Sequence, residues 1–236
     1  MKRFILTGAP GAGKTSVLRA LDDQGYAVVA EAATDVIAAG QAGGTGEPWL
    51  DTRFTRAIAE LQRDRQEQPP VRPGARAQVF DRSPVCTLAL ARYLTHPVPT
   101  ALSGEIDRIL ADGVYERQVL FVRPLGFCAP TAARRISYED SLVFERIHEA
   151  EYIRLGFEIF DIPPGPVGQR IGILATLLFG IAGALVGGFV TAALLGPGHL
   201  IITFLVSLAV SALLISAVTH PRYRRRLSHR PRRRLR

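Results

Sequence analysis

The chain has 236 residues, 47% of them hydrophobic, with 29 Lys+Arg against 21 Asp+Glu and a formal net charge of +8. That length allows one ordinary domain with an appendage, or two small domains, and a mean hydropathy of +0.15 beside a pI near 10.2 fits neither a disordered chain nor a plain soluble enzyme. The charge is divided along the chain: residues 1–166 carry 19 Lys+Arg and 21 Asp+Glu, and residues 167–236 carry 10 Arg and no acid, which excludes a uniformly basic nucleic-acid binder as the first reading.

In chain order, Arg3–Thr7 reads as a short buried strand running into a glycine-rich turn, and Thr15–Leu21 as an amphipathic helix stopped near Gly25. Tyr26–Ala30 is a second strand, ending at Glu31. Helical patterns follow around 32–40 and 51–66 before Pro69-Pro70 and Pro73-Gly74 break the chain. Gln78–Asp81 is a third strand with a helix through Leu94 after it, and Gln118–Val122 is a fourth. Ser137–Leu155 reads as a helix, with Ser137 and Asp140 in capping-box positions and Gly156 as its stop. Phe157–Ile162 is a fifth strand, closed by Pro163-Pro164. Strands alternating with helices predict an α/β fold with a parallel sheet covered on both faces.

Between Ile171 and Thr219 there is no Asp, Glu, Lys or Arg. Two apolar stretches, Ile171–Leu195 and Leu200–Thr219, flank Gly196-Pro197-Gly198-His199, and each is long enough to cross a ~30 Å hydrocarbon core as a helix. The expected organisation is a domain over 1–166, a two-helix transmembrane hairpin over 167–219 and a disordered Arg-rich tail over 220–236. Arg170 and the nine Arg of residues 222–236 flank the hairpin, so the charge bias places both ends in the cytoplasm of a cell inner membrane protein with two spans. Gly180, Ala184 and Gly188, with Ser207 and Ser211, offer small faces for helix packing or a homo-oligomer. The tail suits anionic lipid headgroups, at about 1 kcal/mol per Arg. Only Tyr223 interleaves it, so no nucleic-acid partner is expected. Cys86 and Cys128 lack metal-ligand spacing and point to a reduced compartment.

The strongest chemical signal is Gly8-Ala9-Pro10-Gly11-Ala12-Gly13-Lys14-Thr15, a full G-x-x-x-x-G-K-[ST] match between a strand and a helix. Such a loop turns backbone N–H groups toward phosphate oxygens, and the helix N-terminus adds its positive end. Gly8, Gly11, Ala12, Gly13, Lys14, Thr15 and Ser16 are therefore the expected phosphate-binding residues. Lys14 is assigned to the β- and γ-phosphates, and Thr15 to Mg²⁺. Phosphoryl transfer further needs a metal-side carboxylate and a group to position the nucleophile. Asp81 and Glu31 end strands where open sheets place their ligand groups, so Asp81 is assigned to the metal and Glu31 is the candidate base or the ligand of the acceptor hydroxyl. Arg134 and Arg135, with Arg123, are candidates to close over the phosphates. Trp49 is either a substrate platform or a plug of the core, and its sequence context leaves both open.

GAPGAGKT, the strand ending in Glu31, Glu47-Pro48-Trp49, Leu61-Gln62, Phe80-Asp81-Arg82 and the block Arg135–Asp140 lie in this order, with Glu145-Arg146-Ile147-His148 and Tyr152 to Phe157 after them. Together they resemble the NadR-like AAA-type P-loop family of ATPases and small-molecule kinases, related to the ribosylnicotinamide kinase domain. The resemblance covers about residues 1–165. It implies a kinase-like P-loop NTPase sheet binding ATP (or GTP) with Mg²⁺, and it favours Asp81 and Glu31 as site residues. The Gly180–Gly188 block resembles the GlsB/YeaQ/YmgE-type (transglycosylase-associated) membrane proteins. The expectation is thus a membrane-tethered ATP-binding protein that transfers a γ-phosphoryl group to a small nucleoside-like acceptor or to water. The alternative is a nucleotide-dependent regulatory membrane protein with little or no turnover.

Overall fold

Short runs rich in β-branched and aromatic residues form the strands β1 (Lys2–Thr7), β2 (Ala27–Val29), β3 (Ala77–Asp81), β4 (Gln118–Val122) and β5 (Glu158–Ile162). Between them lie α1 (Lys14–Asp23), α2 (Ala32–Ala42), α3 (Phe54–Glu67), α4 (Pro84–Tyr93), α5 (Thr100–Ala111) and α6 (Tyr138–Arg154), with a 3₁₀ turn at Pro48–Leu50. The computed structural model describes residues 1–129, 136–175 and 177–178. The chain divides into one unit at Met1–Arg170 and another at Ile171–Arg236. All of the elements above belong to the first.

The five strands pair in parallel in the order β2-β3-β1-β4-β5. The central strand β1 brings Leu6 beside both Asp81 and Leu120. Strands β3 and β4 are buried almost throughout, whereas β5 at one edge exposes most of its residues, as expected when helices cover the middle of a parallel sheet. The connection through α1 runs toward the β2 edge, and every later connection runs toward β5. Right-handed crossovers therefore put α1 on one face and α2–α6 on the other. Packing agrees: α3 meets α2, α4 and α5, α4 meets α6, and α1 packs against β2 and β3.

Among the described residues, three apolar clusters hold this arrangement. Ile5, Phe80, Val119 and Phe121 of the sheet pack with Tyr152 and Phe157. Ile37, Phe54 and Ile58 join α2 to α3, with Trp49 against them. Ala59, Leu88, Leu102 and Ile106 join α3, α4 and α5. Each large side chain so buried contributes about 1.5–3 kcal/mol.

Sequence patterning located all five strands but not α5. That helix buries Leu102, Ile106 and Ile109 on one face, a helical spacing obscured by Pro97 and Pro99 before it and Gly104 within it. At α6, the Ser137 side chain accepts from the Asp140 N–H at 3.0 Å, the expected cap. The expected hairpin and tail fall outside the described residues except for 167–175, which are helical, and 177–178. Among the described residues no helix is long and apolar enough to cross a membrane.

Candidate functional site

The turn between β1 and α1 is shaped by glycines that no other residue could replace without strain. Gly8 has φ +138°, and a Cβ there would lie 2.2 Å from the Val122 carbonyl oxygen, so β1 and β4 close on each other at this point. Gly13, with φ +83°, precedes α1 and offers no side-chain cap. The first-turn N–H groups of α1 are thus left open to an anion, with the helix dipole behind them. Ala9 and Ala12 are fully buried beneath the turn, and Ser16 is exposed on α1.

Lys14 is buried, and its Nζ donates to the carbonyls of Gly8 and Ala9 at 3.0 and 2.9 Å. Burial, aided by the Arg82 charge, brings its pKa down to about 8 against the pull of Asp81 and Glu31. Asp81 stands at the end of β3. Its Oδ1 is buried with no hydrogen-bond partner among the described residues. Burial and the nearby Glu31 charge push its pKa up to about 6, with Lys14 and Arg82 opposing. Arg82 follows with φ +70°, a left-handed conformation that costs a non-glycine residue about 1–3 kcal/mol. Its backbone N–H donates to Leu6 O at 3.0 Å, and its guanidinium pairs with Glu31 at 2.5 Å and lies over the Phe144 ring. Burial works against the Glu31 charge, yet Arg82, Lys14 and the Thr34 hydroxyl hold its pKa below the usual carboxylate range.

Gly11, Gly13, Lys14, Thr15, Glu31, Asp81 and Arg82 all line one cavity of about 800 Å³. Ile37, Trp49, Phe54, Leu90 and Phe144 supply apolar wall, and Tyr93 and Asp140 line the cavity as well. Trp49 packs against the α2–α3 cluster while lining the cavity, so it is plug and wall at once. Gln62 and Thr87 are the buried polar pair of that wall, with the Thr87 hydroxyl donating to Gln62 Oε1 at 2.9 Å. This bond takes the amide oxygen and leaves the Gln62 NH₂ for the cavity. Among the described residues no group of three or more His, Cys, Asp or Glu could hold a metal ion by itself. Any metal here would need phosphate oxygens or water as further ligands, as Mg²⁺ sites of this kind usually do.

Two expectations change. Arg123 is not available to phosphates. It pairs with Glu145 at 3.0 Å, Glu149 at 2.8 Å and Asp161 at 2.7 Å and stacks over Phe121 at 4.5 Å, which ties β4 and β5 to α6. Arg170, by sequence a flank of the apolar segment, is 2% exposed, and its guanidinium donates to Ala12 O at 2.6 Å, Arg123 O at 2.9 Å and Pro163 O at 3.1 Å. Arg134 and Arg135 lie outside the described residues.

Sequence reading also missed the polar chain beneath the turn. His148 is fully buried and its Nε2 meets Thr7 Oγ1 at 3.1 Å. Thr7 in turn meets Cys86 Sγ, and Tyr152 OH joins Cys86 to Ser83. Burial, with the Arg82 and Lys14 charges, holds the imidazole neutral. Only helical spacing of His148 and Tyr152 on α6 hinted that they share a face.

Residues 3–170 match the family model described as an AAA domain. Among solved structures, the deoxyadenosine kinase from M. mycoides with bound dCTP is similar at a TM-score of 0.51 and 15% identity, over 75% of this chain and 98% of that one. At that identity the likeness concerns the fold, a kinase-like P-loop sheet. No curated protein matches the sequence. The family match ends at residue 170, so the resemblance of the Gly180–Gly188 block to small membrane proteins gains no support from it.

Proposed function

The chain belongs to the AAA-domain family, and from that premise we propose that it binds ATP with Mg²⁺ and transfers the γ-phosphoryl group to a hydroxyl of a small, ring-bearing, nucleoside-like acceptor. The observation that carries this reading is one cavity with a charged cluster at Lys14, Thr15, Glu31, Asp81 and Arg82, and a largely apolar and aromatic wall that also carries Gln62, Thr87, Tyr93 and Asp140 as polar groups. Water alone as acceptor would need no such wall.

In this reading the N–H groups at the start of α1 and the Lys14 ammonium hold the phosphates. Lys14 exchanges the carbonyls of Gly8 and Ala9 for phosphate oxygens when nucleotide arrives. Thr15 and Asp81 are the residues that would hold Mg²⁺, and the buried, unpartnered Asp81 Oδ1 fits that role. When bound, the ion neutralises charge on the phosphate oxygens. Glu31 accepts the acceptor hydroxyl's hydrogen bond. Its lowered pKa suits a loose transition state, in which orienting the nucleophile counts for more than early proton removal. Arg82 supplies a fixed positive charge beside the transferred group, and Arg134 and Arg135 are proposed as further cations on sequence grounds. Gln62 meets a carbonyl or ring nitrogen of the acceptor, while Trp49 and Phe54 cover its faces.

Membrane tethering through the uncharged run after Arg170, up to Thr219, with the nucleotide domain in the cytoplasm, belongs to the same proposal. It is supported by the uncharged run and the Arg bias of the sequence. Phosphorylation of a nucleoside panel by the full chain with Mg²⁺-ATP tests the catalytic reading. Tight ATP binding with no acceptor phosphorylation and no phosphate release would replace it with the regulatory alternative. Flotation with liposomes tests the tether.

A further inference from the structure

Arg170 is a buried guanidinium whose partners are all backbone carbonyls. Among the described residues no carboxylate pairs with it. A buried cation without a counter-ion is costly, and burial pulls its pKa down. The three carbonyls come from three different segments: Ala12 of the phosphate loop, Arg123 just past β4 and Pro163 just past β5. A planar fork with five donors spans such a set, and a lysine ammonium does not.

The contact with Ala12 has a geometric consequence. In a planar trans peptide the C=O and the next N–H point in opposite directions. Holding the Ala12 oxygen therefore fixes the direction of the Gly13 N–H, one of the groups that α1 leaves open at its start. Gly13 has no side chain to resist a peptide flip. A Cβ at Gly13 would lie 3.3 Å from Arg170 Nη1, so the guanidinium sits directly behind that residue.

We propose that Arg170 is a positioning residue of the phosphate site: it locks the Ala12–Gly13 peptide with its N–H toward the bound anion, and it places a fixed cation behind the loop. This rests on the nucleotide-binding reading above. The charge adds to the positive end of α1, and the fork keeps the loop in register with the segments after β4 and β5.

The test uses the full chain as wild type, Arg170→Ala, Arg170→Lys and Lys14→Ala, with thermal melting to report folding and titration with a fluorescent ATP to report affinity. Expected is a weakening of ATP affinity by about tenfold or more in Arg170→Ala, the size of a lost charge-assisted hydrogen bond. Millimolar methylguanidinium should recover part of that loss in Arg170→Ala and none in Lys14→Ala. Should Arg170→Ala fail to fold, Arg170→Lys carries the test, with weaker ATP binding and faster exchange of the Gly13 amide hydrogen expected. ATP affinity within about twofold of wild type in a folded Arg170 variant, or an Arg170→Ala loss that methylguanidinium does not touch, overturns the proposal. A wild-type chain that fails to bind ATP overturns the nucleotide reading itself and this inference with it. Wild-type binding lost in Lys14→Ala but kept in the Arg170 variants overturns this inference alone.

Discussion

The two ends of the cavity are built on different principles. At the phosphate end, Gly8 to Thr15 form one continuous segment, joined by Glu31 at the start of α2 and by Asp81 and Arg82 at the end of β3. At the other end the wall residues are drawn from α2, α3, α4, α6 and the 3₁₀ turn. The wall there is mostly apolar, with Ile37, Trp49, Phe54 and Leu90, and its polar groups are the Gln62–Thr87 pair, Tyr93 and Asp140. A short backbone turn with a helix dipole recognises any polyphosphate. A wall assembled from five elements can instead be changed one side chain at a time, so specificity for the second substrate resides there.

The substitution that breaks this division altogether is Gly8→Ala. A Cβ 2.2 Å from the Val122 carbonyl forces apart the strands on which both ends stand, and chemical denaturation should show a loss of about 3 kcal/mol. Lys14→Ala separates the ends. Nucleotide titration should show affinity lowered about a hundredfold or more, while the melting temperature and the fluorescence of Trp49 in the far wall stay close to wild type. Asp81→Asn is expected to remove about a tenfold Mg²⁺-dependent gain in ATP affinity and to leave Mg²⁺-independent binding in place.

The pH dependence sharpens the same picture. Binding of Mg²⁺-ATP needs Asp81 ionised and Lys14 protonated. Affinity should therefore fall as pH drops through about 6 and again as it rises through about 8. Bound phosphate favours the ammonium and bound metal favours the carboxylate, so both limbs should move outward at saturating ligand. Asp81→Asn should remove the acid limb only, and titration calorimetry across pH checks this. The smallest effect is expected from Gln62→Leu, about a fivefold rise in acceptor KM from one lost hydrogen bond, with ATP affinity unchanged.

What could be read from the sequence follows the same division. The phosphate turn was legible because its chemistry is contiguous and demands glycine and lysine at fixed spacing. Glu31 and Asp81 were legible because each ends an apolar strand, and a strand end in an open sheet faces the ligand. Arg82 was seen only as the neighbour of Asp81, since nothing local signals its left-handed backbone or its pairing with Glu31. Arg123 misled because a cation just past a strand looks the same whether it meets phosphate or three carboxylates. Those acids lie on α6 and β5, more than twenty residues away. Gln62, Thr87 and His148 acquire meaning only once α3, α4 and α6 are packed together, and α5 is hidden by the prolines before it and the glycine within it.

Arg170 also bears on how the chain is divided in the laboratory. Charge and hydropathy suggest cutting near residue 166, where the acids end and the apolar run approaches. A fragment cut there keeps every strand and the whole G-x-x-x-x-G-K-T motif but lacks the guanidinium that holds Ala12. Weak nucleotide binding by such a fragment would then be misread as dependence on a membrane anchor. A fragment retaining residue 170 and the first helical residues after it removes that ambiguity. The same covalent arrangement sets a rule for any partner fused downstream: its first residue, at position 171, is joined by one peptide bond to a residue that touches the phosphate loop.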